Sequence, residues 1–188
     1  MAEVVLFHHA LGRTTGVDAF AEALRSAGHG VVVPDLFDGR RFETVEAGVA
    51  YAEGVGFGTI ADRGEGAASG LAAGFAVIGM SLGNVPTMKL AQNDGRVGGA
   101  VLLHGGLPLG FFGDGWPEGL PLQAHTNRDD DWGDLDVLED LKSTIGDAMD
   151  LFVYEGATHL FTDVSTDDHD PRAAGLVLER VLDLLAVL

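Results

Sequence analysis

Phe75-Ala76-Val77-Ile78-Gly79-Met80-Ser81-Leu82-Gly83 runs a continuous apolar tetrad straight into a G-x-S-x-G pentad, and a helix-length stretch, Leu82 to Gln92, follows. Four apolar residues in succession, without alternation, mark a strand covered on both faces, as in parallel sheets. A strand that turns this abruptly into a helix needs glycines around the turn, because bulkier side chains would strike the neighbouring strand and helix. A serine at the apex then projects its hydroxyl above the sheet. Ser81 is accordingly the candidate nucleophile.

The same continuous pattern recurs in Val4 to Phe7, Val31 to Val33, Ala100 to Leu103 and Leu151 to Tyr154, with a weaker version in Pro121 to His125. Between these runs lie amphipathic stretches of helical length. In Gly16 to Ala27, for example, Phe20, Leu24 and Ala27 share a face while Asp18, Glu22 and Arg25 point elsewhere, and Gly28 supplies a stop. Further helices are predicted over Glu43 to Glu53, Thr59 to Leu71, Leu82 to Gln92, Leu135 to Ile145 and Arg172 to Leu188. Alternation of this kind implies right-handed crossovers. The expected fold class is α/β, a doubly wound and mostly parallel sheet of about six to seven strands flanked by helices, in one domain spanning residues 1–188. The longest irregular stretch, Gly105 to Gly119, carries Phe111, Phe112 and Trp116 and is expected to wall a pocket.

A serine hydroxyl is a weak nucleophile at neutral pH. It needs a base within hydrogen-bond reach and, behind the base, an anion that fixes the imidazole tautomer. On a sheet of this type the chain order is nucleophile, acid, histidine. His159, in Gly156-Ala157-Thr158-His159, follows the last predicted strand and falls where the base belongs. The acid comes from Asp129, Asp130 or Asp131, three adjacent carboxylates after the fifth strand, among which spacing alone does not choose. Read instead as a calcium loop with Asn127, Asp129 and Asp131 at the first, third and fifth positions, the segment puts Trp132 where glycine is required and Leu138 where the closing glutamate belongs, so calcium is disfavoured.

Every candidate lies just beyond the carboxyl end of a predicted strand, the edge at which such sheets bind ligands. The loop His8-His9-Ala10-Leu11-Gly12 is placed to offer the Ala10 backbone N–H to an oxyanion, the second donor being Leu82 N–H after the serine. His8 and His9 are poor joint metal ligands, since adjacent residues on a strand face opposite sides. No metal or organic cofactor is called for.

Composition narrows the field further. The formal net charge is -18, and no stripe of Lys or Arg offsets it, which speaks against nucleic acid and anionic membrane surfaces. Without cysteine there is no disulfide, thiolate metal site or Cys nucleophile. Met1 to Phe7 shows an acidic residue and a short apolar run where an export signal has a basic start and a longer apolar region, and no apolar stretch reaches the roughly 20 residues of a membrane span. The expectation is a cytoplasmic protein acting on a small molecule.

The opening strand with His8-His9-Ala10-Leu11-Gly12, the segment Pro34-Asp35-Leu36-Phe37, the pentad Gly79 to Gly83, the strand ending Gln123-Ala124-His125, and Gly156-Ala157-Thr158-His159 together resemble the dienelactone hydrolases, a compact branch of the α/β-hydrolases. The likeness spans almost the whole chain. It implies that the acid is Asp130, at the aspartate of the family's H-x-x-x-x-D-P-like stretch, with Asp131 in the usual proline place. Two departures stand out: the best-known members use a cysteine nucleophile and a glutamate in the oxyanion loop, where this chain has Ser81 and His9. They also hold a substrate carboxylate with arginines, for which Arg40 and Arg41 are the nearest candidates. His9, Phe37, Arg40 and Trp116 are the expected substrate contacts. The function implied is hydrolysis of a small carboxylic ester or lactone through an acyl-serine; the alternatives are a thioesterase or acyltransferase with the same three residues, or a binding domain that kept the fold without catalysis.

Overall fold

Six strands form where the continuous apolar runs fall: β1 (Glu3–Phe7), β2 (Gly30–Val32), β3 (Phe75–Met80), β4 (Val97–Leu103), β5 (Leu122–Asn127) and β6 (Met149–Tyr154). The structure is a computed structural model and describes residues 1–188. The strands make one sheet in the order β2-β1-β3-β4-β5-β6, and every neighbouring pair is parallel. The chain steps outward from β1 to β2 and then crosses back over β1 to β3. The reversal opens the crevice between the carboxyl ends of β1 and β3. Register aligns those ends along one edge, with Phe7 opposite Gly79, Met80 opposite Leu103, Leu103 opposite His125 and Asn127 opposite Tyr154.

Helices cover both faces: α1 (Thr15–Ser26), α2 (Val45–Val55), α3 (Phe57–Ala68), α4 (Asn84–Asn93), α5 (Leu135–Ile145) and α6 (Pro171–Ala186). Strand side chains alternate between two apolar layers. Val5, Phe7, Val77, Ala100 and Leu102 pack with Ile60, Met88 and Leu138 on the side of α2 to α5. Val4, Leu6, Ile78, Val101 and Leu103 pack with Leu24, Val177 and Val181 beneath α1 and α6. The apolar face of α6, with Ala173, Val177, Val181, Leu184 and Leu185 buried, docks on the sheet. Thr14 caps α1 by accepting from Val17 N–H, and Asp170 caps α6 by accepting from Arg172 and Ala173 N–H ahead of Pro171 at the first position.

The strand-to-helix turn differs in one detail from the helix predicted to begin at Leu82. Ser81–Gly83 form a 3-10 turn and α4 proper starts at Asn84. Crowding explains the glycines. A Cβ on Gly79 would sit 2.5 Å from Asn84 Oδ1, Gly83 O and Thr87 Oγ1, and one on Gly83 would strike the Phe7 carbonyl of β1. Overpacking of this kind typically costs about 1–3 kcal/mol. Gly83→Ala, whose clash is with backbone, should therefore lower the urea unfolding free energy by about 2 kcal/mol or more; an unchanged or raised midpoint would show that the turn is not held against β1.

Candidate functional site

Ser81 occupies the left-handed region with φ 51°, a conformation that a non-glycine residue keeps only where its surroundings enforce it. The turn presents its hydroxyl to the loop after β6. Ser81 Oγ lies 2.7 Å from His159 Nε2, and His159 Nδ1 donates to Asp130 Oδ2 at 2.8 Å. Of the three adjacent aspartates, Asp129 and Asp131 are exposed, whereas the Asp130 side chain is 1% exposed. Its second oxygen accepts from Trp132 N–H at 2.9 Å. The loops after β5 and β6 are stitched together: Arg128 N–H donates to Tyr154 O, Asp129 N–H to Gly156 O, and Asn127 Nδ2 to Thr158 O. These bonds hold imidazole and carboxylate in mutual register.

A cavity of about 180 Å³ opens beside Ser81, lined on its apolar side by Val49, Phe57, Leu82, Leu107 and Trp132 and on its polar side by His104 and Asp134. Leu82, expected as an oxyanion donor, therefore belongs to this wall. Ala10 is fully buried with its carbonyl against Gly48 of α2, and its N–H donates to no other group of the chain. The expected substrate contacts are placed elsewhere. His9, two residues past the end of β1, is fully buried and its Nε2 lies 2.7 Å from Asp163 Oδ2, which draws the ring into the interior. Phe37 is fully buried and meets His8, Phe42 and Tyr51 edge-on. Arg40 and Arg41 are exposed, Arg40 lying 5.4 Å over the Tyr51 ring. Trp116 donates from Nε1 to Leu120 O, and Gln92 holds the same loop through Leu109 O and Gly115 O, so only its first residues, Gly105 to Leu107, reach the cavity. No three His, Asp or Glu side chains converge as a metal site.

The family model described as the dienelactone hydrolase family matches residues 1–188. The chain belongs to the dienelactone hydrolase family. No curated protein sequence matches it. Among solved structures, a dienelactone hydrolase-like promiscuous phosphotriesterase from metagenomic libraries superposes with a TM-score of 0.79 at 18% identity, over 100% of this chain and 87% of that one. A dienelactone hydrolase from Anabaena variabilis superposes with a TM-score of 0.66 at 20% identity, over 98% and 86%. The thioesterase domain from the curacin biosynthetic pathway gives 0.68 at 13% identity, over 96% and 90%. At these identities the likeness is one of fold. As a dienelactone hydrolase family chain with Ser81 at the turn, this protein also turns the residue of its glutamate position, His9, away from the cavity and onto Asp163.

Several residues around the site carry no signal in the sequence pattern. Asp163 accepts from Thr14 Oγ1 at 2.5 Å and from Ser165 Oγ at 2.6 Å besides its contact with His9, tying the exit of β1 and the start of α1 to the segment after His159. Burial alone would raise its carboxyl pKa, but these hydrogen bonds outweigh burial and hold it well below the usual range. His104, with φ 66° after β4, sits 5.9 Å from the His159 ring and contacts Thr162 Oγ1 at 2.8 Å, its Nδ1 left without a partner. Burial drives its pKa well down, reinforced by His159 and His9.

Two further buried histidines are neutral by their bonding. His8 Nδ1 donates to His9 O while Nε2 accepts from Leu36 N–H, and burial takes its pKa to about 4. Tyr154 OH accepts from Arg180 and so donates to His125 Nδ1, leaving Nε2–H to donate to Gln123 Oε1; burial and then Arg180 bring this pKa to about 3. Each of these groups binds a proton more readily in the unfolded chain, near 6.5, than in the folded one. Their contribution is complete above that value and is lost as pH falls towards the folded pKa. Carboxylates contribute little above about pH 5. Unfolding free energy should therefore fall between about pH 6.5 and 5, with a slope approaching about 1.4 kcal/mol per pH unit for each histidine; urea midpoints that stay level over this window would contradict the assignment.

Proposed function

We propose that the chain is a serine hydrolase that cleaves a small carboxylic ester or lactone through an acyl-serine intermediate. The observation that carries this reading is the unbroken hydrogen-bond series from Ser81 Oγ through His159 to Asp130. In the first half-reaction Ser81 Oγ attacks the ester carbonyl carbon while His159 Nε2 takes the hydroxyl proton. Asp130 keeps Nδ1 protonated and stabilises the imidazolium that forms. The negative oxygen of the tetrahedral intermediate would be met by the backbone N–H groups of Leu82 and Ala10. Collapse breaks the carbonyl carbon–alkoxide bond, and the alcohol leaves with the proton from His159.

In the second half-reaction a water gives its proton to His159 Nε2 and attacks the acyl carbon. The carboxylic acid is released as the proton returns to Ser81 Oγ. The apolar side chains of Val49, Phe57, Leu82 and Leu107 beside the hydroxyl support this chemistry, because dipoles aimed at a developing charge act more strongly where the local dielectric is lowered. The family and the lipolytic enzymes among its structural relatives are hydrolases, which agrees with the reaction class.

Turnover of a short-chain nitrophenyl ester tests the reading. Ser81→Ala and His159→Ala should each lower kcat by on the order of 10⁴-fold or more, and Asp130→Asn, which leaves the packing in place but spoils the imidazole tautomer, by on the order of 10⁴-fold. Equal activity in wild type and Ser81→Ala would reject it and favour a binding domain that lacks catalysis.

A further inference from the structure

On the reading that Ser81 is the nucleophile, we propose that Asp134 makes this cavity select uncharged and cationic esters and reject esters that carry a carboxylate. Asp134 stands at the start of α5 with φ 46°, lines the same cavity as Ser81, and its side chain makes no cap bond to the helix. No Arg or Lys faces it, and the nearby group able to carry positive charge is His159. The cavity wall contains neither Arg nor Lys, and His104 is held neutral by burial. Arg40 and Arg41, the side chains a carboxylate-bearing substrate would call for, are exposed outside the cavity. Arg13, Arg63, Lys89 and Arg96 are engaged by Asp18, Asp38, Asp62 with Glu65, and Asp94.

The consequence is electrostatic. An anionic substrate entering this space would bring its charge beside the Asp134 carboxylate; the imidazolium formed at His159 during reaction is engaged by Asp130, to which it is hydrogen-bonded, and no Arg or Lys of the cavity wall offsets Asp134. Asp134 and Trp132 are exposed at the rim of the cavity, so salt moderates this repulsion and the discrimination should be largest at low ionic strength. A quaternary ammonium would meet the reverse situation, a carboxylate on one side and the open ring of Trp132 on another. The cavity volume of about 180 Å³ suits a short chain on either side of the ester.

Three acetate esters of matched length decide the matter: that of choline, that of its uncharged carbon isostere, and that of an ω-hydroxy carboxylate, followed by acid release at constant pH, with Ser81→Ala as the blank. Wild-type kcat/KM should fall in that order, the carboxylate ester at least about ten-fold below the isostere. Asp134→Asn, which retains a residue suited to positive φ, should shrink the ratio of choline ester to carboxylate ester by about ten-fold or more. A carboxylate ester turned over as fast as the isostere, or a ranking that Asp134→Asn leaves intact, overturns the proposal while sparing the hydrolase reading. Absence of Ser81-dependent turnover of all three esters overturns both.

Discussion

The hydrogen bond between Ser81 Oγ and His159 Nε2 joins residues 78 apart in sequence, and it exists only because parallel strands end in register along one edge. β3 delivers the hydroxyl, and β5 and β6, two and three places further along the sheet, deliver the carboxylate and the imidazole. Bringing such distant segments together costs loop entropy. What holds them is ordinary: two apolar layers packed on either face of the sheet, and backbone bonds that stitch the loop after β5 to the loop after β6. The turn at Ser81 adds a local demand. Its left-handed backbone and the two crowded glycines leave the serine side chain little freedom, so the hydroxyl is aimed before any substrate arrives.

Beneath the site lies a buried polar layer: His9 with Asp163, His104 with Thr162, and His8 on the Leu36 amide. Buried polar groups are costly unless satisfied, and removing one partner of a buried hydrogen bond typically costs about 1–3 kcal/mol, more where the group left behind is charged. Asp163 binds the exit of β1, the first turn of α1 and the segment following His159 at one point. It thereby anchors the segment beyond the catalytic candidate His159 without touching the cavity. His8 and His104 in this layer, and His125 on β5, are held neutral by burial, so buried histidines around the site make the fold sensitive to acid.

The α/β architecture is legible in the sequence because parallel strands leave continuous apolar runs, and the runs fall on all six strands. The serine, histidine and aspartate that converge are legible through chain order and the strand-edge rule. Asp130 rather than its neighbours is specified by the family resemblance, and its burial agrees. The cavity wall is not legible. Val49 and Phe57 reach it from α2 and α3, whose path over the sheet edge no local pattern announces, and Trp132 and Asp134 follow the acidic triplet in a loop whose course depends on contacts with β6. His9 and Phe37 depart from expectation for one reason: each lies near the correct edge but points inward. Trp116 sits in a loop whose far end is drawn away by Gln92. Asp163 gives a weaker signal still, being one carboxylate among 29 acidic residues with nothing nearby in sequence to mark it as buried.

All of this rests on Ser81 being an activated nucleophile in the folded protein. Reaction with an alkyl fluorophosphonate, read by peptide mass spectrometry, tests that property whatever the natural substrate is. The account predicts a single adduct on the peptide carrying Ser81, formed in the native protein and lost on unfolding or in His159→Ala. An unlabelled Ser81 in protein shown to be folded, or labelling indifferent to the loss of His159, would contradict it.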